Sequence, residues 1–247
     1  MRLSTTLFLV AALLAIAPAR AAPPEFATIR VNGTDITIPS PPGLVPLINK
    51  QSHYYRFGAR MQEANRNSLL AYFLPAKEAA IADIDQLPSP TQWGIVYGVE
   101  AMMNRAVSVE QLRGEILPSV EREISATVKD PALRKRIGEG TDANMEQLGR
   151  ELKLDAGKLR MGEISPLGAF AKGDNYATYG AATRIRVEYG GKTTEAPVIA
   201  VIAFVVVKER LFCFAVYRAY GEEKDIVAAR RDATIWAETI TRANARP

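Results

Sequence analysis

The stretch that decides the fold of this chain is Pro197–Tyr220, PVIAVIAFVVVKERLFCFAVYRAY. Its first part is apolar at every position, and Lys208-Glu209-Arg210 separate it from a second, mostly apolar run. A membrane span drawn through these three residues would bury three charges, which is costly. The β-branched content instead predicts a hairpin at the centre of a sheet that is covered on both faces.

The chain has one cysteine, Cys213, in the second strand of this hairpin. Successive strand residues point to opposite faces, so Cys213 shares a face with Leu211 and Ala215, and Phe212 and Phe214 lie on the other. A free cysteine in apolar surroundings packs as a small hydrophobe, and burial raises the pKa of its thiol. We therefore expect a structural, unreactive thiol, and no disulfide can form within the chain.

The first 21 residues match a secretory signal peptide. A positive charge at Arg2 precedes the apolar run Leu7–Ala17, and small residues at Ala17, Ala19 and Ala21 form a cleavage site. The apolar run is too short to span a membrane, which takes about 20 residues. We predict cleavage after Ala21, with cleavage after Ala19 as the second choice.

The charge of the chain is modest. The formal net charge is +4, and residues 1–21 contribute Arg2 and Arg20 but no acidic residue, so the remainder is only weakly basic. Nucleic-acid binders present a strongly basic face, so we do not expect a nucleic-acid partner. Residues 22–247 are enough for one sizeable core, and we predict a single α+β domain there.

In the N-terminal third of the chain, the pattern of apolar and turn residues predicts alternating strands and helices. Asn32-Gly33-Thr34 matches a glycosylation sequon, but Asn-Gly between two alternating stretches favours the type I′ turn of a hairpin over residues 27–38. Further elements are predicted as follows: a helix over 50–64 with Tyr54, Phe57, Met61 and Ala64 on one face, a strand in SLLAYFLP, a short helix over 76–84, and a strand in QWGIVYGVE.

A helical insert is predicted at about residues 100–155. Ser108 and Gln111 stand at the reciprocal positions of a capping box. Pro118 should kink or divide the helix that follows. The apolar positions of the insert are Leu112, Ile116, Val120 and Ile124, then, in a second helix, Leu133, Ile137, Leu148 and Leu152.

In the last third of the chain, the residue pattern predicts several strands followed by a C-terminal helix. TYGAATRIRVEY alternates, with Arg184 and Arg186 on the polar face. Residues 223–242 form a helical pattern whose apolar stripe is Ile226, Ala229, Ala233, Trp236 and Ile240. The fold class expected from these elements is α+β: a mainly antiparallel sheet sandwiched between helices, with the helical insert in the middle of the chain.

The candidate catalytic and ligand-binding motifs are weak, and we predict no catalytic, cofactor-binding or metal-binding residue. YGGKTT lacks the first glycine of a phosphate-binding loop and precedes a strand, which favours a hairpin turn. His53 is the only histidine and has no nucleophile motif around it, and one His with one Cys makes a poor zinc site. Asp83 and Asp85 are expected to be solvated loop carboxylates. A two-carboxylate enzyme stays open, because its two acids need not be close in sequence.

Three stretches together resemble a known group of exported bacterial proteins. These are ITIPSPPGLVPL after a first hairpin, NSLLAYFLP, and the ending YRAYGEEKDIVAARRDATIWAETITRAN that follows a long apolar hairpin. Their order is similar to that of the PsbP/DcrB-like group, over roughly residues 27–75 and 160–244. The resemblance implies an antiparallel sheet between helices in a family that is mostly without enzymatic activity, whose members act as accessory or assembly factors. It carries over no site residues.

The expected function is that of a non-catalytic periplasmic accessory or binding protein of the bacterial envelope. Its partner would be another protein or an envelope component, with no cofactor and no transmembrane anchor after signal cleavage. The alternatives are an immunity or inhibitor protein against an envelope-acting toxin, and an envelope hydrolase with an unrecognised carboxylate site. An exposed apolar patch would favour binding, and a cleft with two carboxylates of raised pKa would favour the enzyme.

Overall fold

The computed structural model describes residues 25–130 apart from 87 and 89, residue 132, and residues 159–245 apart from 163, 190 and 191. The predicted signal peptide lies outside these residues, and so does the second half of the predicted helical insert, with Leu133, Ile137, Leu148 and Leu152. The strands are β1 Phe26–Val31, β2 Thr34–Pro39, β3 Val45–Pro46, β4 Asn67–Leu74, β5 Gln92–Val99, β6 Leu159–Met161, β7 Ser165–Lys172, β8 Tyr176–Tyr189, β9 Lys192–Val207 and β10 Arg210–Ala219. The helices are α1 His53–Ala64, α2 Ala76–Asp83, α3 Glu100–Met103, α4 Val109–Gln111, a π-helical segment Leu112–Ile116, α5 Leu117–Lys129 and α6 Glu223–Ala243.

The predicted α+β fold class is confirmed. Over the described residues, one sheet has the strand order β3-β4-β5-β10-β9-β8-β6, with β7 also paired to β8, and β1 and β2 form a separate hairpin. Every pairing between these strands is antiparallel. Helices lie on both faces of the sheet, and β9 and β10 occupy its centre as the apolar stretch predicts.

The predicted turn of the first hairpin is present, and the predicted pairing on either side of residues 190 and 191 is present as well. Asn32 and Gly33 have φ of 45° and 75°, the left-handed conformation that a type I′ turn requires at both positions. Tyr189 pairs with Lys192, so Lys192 and Thr193 of the GKT sequence lie in strand β9 and do not open a helix. The β9–β10 turn is tighter than predicted: only Lys208 and Glu209 form it, because Arg210 already pairs with Val207.

One face of the sheet is covered by α6 and the β1–β2 hairpin. Trp236 is fully buried, its ring centroid lies 4.4 Å from that of Phe214 and 5.3 Å from that of Phe73, and its indole Nε1 donates to the carbonyl of Pro39 at 2.6 Å. The predicted stripe of α6 therefore packs on the core. Asp232 is also buried on this side, which the sequence pattern did not predict.

The opposite face is covered at one end by α1 and α2. The predicted face of α1 is confirmed in part, because Tyr54 packs against the core and Phe57 and Met61 are half-buried. The fully buried residues of the helix are nevertheless Tyr55 and Gly58, and Ala64 is exposed. A Cβ at Gly58 would lie 2.8 Å from the Tyr72 ring, so the absence of a side chain allows α1 to approach β4. Close backbone approach, rather than the most apolar stripe, sets the rotation of this helix.

The described part of the helical insert covers the other end of that face. Ser108 and Gln111 form both hydrogen bonds of the predicted capping box. The helix is divided as predicted, since the π-helical segment precedes Pro118, which stands in the first turn of α5. Glu121 anchors α5 to the sheet: it accepts from the Tyr179 hydroxyl at 3.0 Å and from Lys172 Nζ at 2.5 Å.

Candidate functional site

The only histidine, His53, forms a pair with Asp85. The backbone N–H of His53 donates to one carboxylate oxygen of Asp85 at 2.6 Å, and His53 Nδ1 lies 2.5 Å from the other. His53 is the first residue of α1, so Asp85 satisfies a backbone donor that a helix N-terminus otherwise leaves unpaired. Asp85 lies in an exposed turn, as expected, and both side chains are about half exposed, but its carboxylate also holds the first residue of α1.

These hydrogen bonds set the charge of Asp85. The backbone N–H of His53 lowers the pKa of the carboxyl most, and the His53 ring and the nearby Arg56 lower it further. A carboxylate that accepts hydrogen bonds in its charged form is favoured in that form. Asp85 is thus an ionised acceptor at the beginning of α1, and at neutral pH it cannot act as a general acid.

Asp83, the other predicted loop carboxylate, is the last residue of α2 and binds Asn49. The backbone N–H of Asn49 donates to Asp83 Oδ1 at 2.8 Å, and the Asn49 side-chain amide donates to the Asp83 carbonyl at 3.0 Å. The Asn49 side-chain oxygen in turn accepts from the backbone N–H of Gln51 at 3.0 Å. Two segments that are far apart in sequence, residues 48–53 and 83–85, are thereby joined.

Two isoleucines lie exposed on the joined segments. Ile48 is 63% exposed and Ile84 is 61% exposed, and each is adjacent in sequence to a residue of the Asn49–Asp83 contact. We call Ile48, Ile84 and the His53–Asp85 pair the paired-loop surface. Single exposed apolar residues are common, but two on loops fixed to each other by side-chain hydrogen bonds present apolar area in a defined position.

A histidine with a carboxylate partner is two thirds of a hydrolytic triad. Among the described residues, however, no hydroxyl or thiol forms a hydrogen bond with His53 Nε2. The neighbouring Ser52 is buried, and its Oγ already accepts from the backbone N–H of Tyr55 at 3.2 Å. The pair closes the beginning of α1, with Asp85 next to Ile84 in sequence, and it does not activate a nucleophile in the described structure.

Cys213 lies on the predicted face of its strand and is 1% exposed. Burial raises the pKa of its thiol to about 12, although a hydrogen bond with Tyr97 acts in the opposite direction. A thiol with that pKa is protonated at any physiological pH and is a poor nucleophile. The predicted burial of Cys213 is therefore confirmed, and its lack of reactivity stays a prediction.

The described carboxylates whose pKa is shifted do not have the raised pKa expected of the acid in a two-carboxylate enzyme. Within the described residues, every carboxylate with a resolved pKa shift has its pKa lowered, namely Asp85, Glu110, Glu121, Glu195 and Asp225. Hydrogen bonds from neighbouring donors are the main cause in each case. In the same part of the chain, no group of three or more His, Cys, Asp and Glu side chains is placed to hold a metal ion.

No described helix is both long and apolar enough to cross a membrane. No family model, curated protein or solved structure matches the chain. The resemblance to the PsbP/DcrB-like group consequently stays a prediction.

Proposed function

We propose that this chain is a non-catalytic accessory or binding protein of the bacterial envelope, exported to the periplasm and bound there to a partner protein. The observation that carries the proposal is the paired-loop surface, which presents Ile48 and Ile84 at more than half of their full exposure. Apolar side chains on a fixed backbone bind a partner without first having to be ordered, which lowers the entropic cost of association. Asp85 of the His53–Asp85 pair follows Ile84 directly in sequence.

Export is supported by the sequence of residues 1–21. N-terminal sequencing of the protein recovered from the periplasm should begin at Ala22. Recovery of a chain that retains Met1 in the membrane fraction would contradict both the export and the cleavage site.

The binding surface can be tested by placing a photo-crosslinking amino acid at Ile48 or Ile84 in the exported protein. Both positions should form the same crosslinked species in living cells. Val227 is the matched control, because it is an equally exposed apolar residue, 63% exposed, on the outer face of α6. Adducts that form equally from Val227, or none from the two isoleucines, would rule out the paired-loop surface as the binding site.

The identity of the crosslinked partner separates two versions of the function. An envelope-assembly protein would support the accessory role. A secreted toxin that acts on the envelope would instead support an immunity or inhibitor role on the same surface. The variant Ile84→Asp should reduce the crosslink from Ile48 in either case, because it places a charge within the apolar contact.

A further inference from the structure

A trough of about 520 Å³ lies near the end of the sheet where β6 and β7 pair with β8, away from the end formed by β3 and β4. Its lining includes Ala182, Arg184, Pro197 and Tyr220. Ala182 and Arg184 are two apart on β8 and share a face, and Arg184 pairs with Pro197 of β9. This is the face that carries α6, because Ala182 packs against the same core cluster as Trp236.

Four polar residues line the trough, namely Ser165, Thr183, Arg184 and Tyr220, and the hydroxyl of Thr183 already donates to the carbonyl of Gly162 at 3.1 Å. The hydroxyls of Ser165 and Tyr220, which both line it, have no hydrogen-bond partner among the described residues. Arg184 makes one contact, from Nη1 to Oε1 of Glu195 at 3.3 Å, and its side chain is 72% exposed. An ion pair this exposed contributes little to stability. Arg184 can therefore exchange the carboxylate of Glu195 for the anion of a ligand at a small cost in free energy.

Glu195 has a second, shorter contact that would hold it during such an exchange. Arg186 Nη2 lies 3.1 Å from Glu195 Oε2, and this contact is the main cause of the lowered pKa of Glu195. The carboxylate therefore keeps a cationic partner when Arg184 turns away from it. Arg184 is the one of the two arginines that lines the trough.

The composition of the trough indicates the class of ligand. Ala182 and Pro197 provide apolar surface, Tyr220 provides an aromatic ring, and Arg184 provides a planar guanidinium that matches a carboxylate. Cavities of about 300–1,000 Å³ accommodate small organic ligands. The first turn of α6, which begins three residues after Tyr220, carries Glu223 and Asp225, and these charges disfavour a polyanion.

We propose that this trough is a binding site for a small organic carboxylate with an apolar body, whose carboxylate pairs with Arg184 and whose body lies against Pro197 and Tyr220. The site goes beyond the function proposed above and does not depend on it. The two are separate in space, since the paired-loop surface adjoins β3 and β4 at the other end of the sheet.

The test is a titration of the purified protein with 2-naphthoate. Calorimetry measures the affinity, and the chemical shifts of the backbone amides locate the binding site. Saturable binding should shift the amides of Ala182 and Val198. Arg184→Gln should weaken binding about tenfold or more, because a charge-assisted hydrogen bond is lost. Glu195→Gln should strengthen binding, since it removes the carboxylate that competes for Arg184.

Two controls make the result specific. Arg60→Gln removes an exposed, ion-paired arginine elsewhere, 2.7 Å from Glu63, and should leave the affinity unchanged. The neutral analogue 2-naphthalenemethanol should bind more weakly than 2-naphthoate, and its affinity should be the same for the wild type and for Arg184→Gln. The proposal is overturned if 2-naphthoate does not saturate, if Arg184→Gln binds it as tightly as the wild type, or if the shifted amides lie outside the trough. Crosslinking at Ile84 would be unaffected by any of these outcomes.

Discussion

Arg218 of β10 and Asp232 of α6 form an ion pair at the junction of the sheet and the C-terminal helix, with 2.8 Å between Arg218 Nη2 and Asp232 Oδ2. The Asp232 side chain is only 2% exposed and that of Arg218 is 24% exposed. The same Arg218 nitrogen donates to Gln92 of β5 at 2.8 Å. One charged contact thus joins two central strands to the helix that covers them.

Asp232→Ala should lower the free energy of unfolding by about 3 kcal/mol, because it leaves Arg218 largely buried without its anion. The double variant Asp232→Leu/Arg218→Met should lose less, since it leaves neither charge unpaired. Urea unfolding measures both. Asp35→Asn is the control, because Asp35 pairs with Arg30 at 3.6 Å on the surface and should change stability by less than about 0.5 kcal/mol. A double variant less stable than Asp232→Ala would contradict this account.

Trp236→Ala should lower the free energy of unfolding by about 3–5 kcal/mol, because it leaves a cavity between α6 and the rings of Phe73 and Phe214. Val227→Ala on the exposed side of the same helix should cost less than about 0.5 kcal/mol. Thermal melting of the two variants gives the comparison. Melting temperatures that are equal and close to that of the wild type would mean that α6 does not close the core.

Cys213 should react slowly with a thiol reagent in the native protein and rapidly in denaturant, because it is 1% exposed and its pKa is raised to about 12. The raised pKa also predicts that the stability of the protein falls as the solution becomes alkaline. The thiol of the unfolded chain ionises near its ordinary pKa of 9.0, while the folded thiol stays protonated. Its contribution to stability is therefore complete below about pH 9 and is lost as the pH rises towards about 12.

The variant Cys213→Ala lacks this titration. Its stability relative to the wild type should improve between about pH 9 and pH 12, as measured by urea unfolding across that range, because only the wild type loses the thiol contribution there. A constant difference between the two proteins over this range would show that the thiol is not buried as described.

Asp85→Asn should lower the melting temperature at neutral pH, because it removes the charged acceptor at the beginning of α1. The pKa of Asp85 is lowered, so its contribution is present above the ordinary aspartate pKa of 3.8 and is lost as the pH falls through the lowered pKa. The wild type and the variant should therefore converge in strongly acidic solution. Asparagine also tolerates the φ of 63° at this position, so the backbone is not strained by the substitution.

His53→Ala is the companion variant. It should have a smaller effect than Asp85→Asn, since the backbone N–H of residue 53 remains and is the main cause of the lowered pKa of Asp85. An equal or larger loss of melting temperature in His53→Ala would assign the main role to the imidazole ring instead.

The sequence by itself determined the elements whose cause is local. The β-branched run Val198–Val207 specifies a buried strand. Asn32-Gly33 specifies the turn of the separate β1–β2 hairpin, and Ser108 with Gln111 specifies where a helix begins. Each of these depends on residue type and on neighbours within a few positions. The burial of Cys213 follows from the same strand alternation.

Only the tertiary structure decided which distant segments meet. It placed β5 beside β10, rotated α1 so that Gly58 faces Tyr72, and joined His53 to Asp85 and Arg218 to Asp232. These contacts depend on strand order, register and helix rotation, which many long-range packing interactions set together. A polar residue such as Asp232 has the same local pattern whether it lies in solvent or against the sheet, and only the position of its partner 14 residues earlier decides its role.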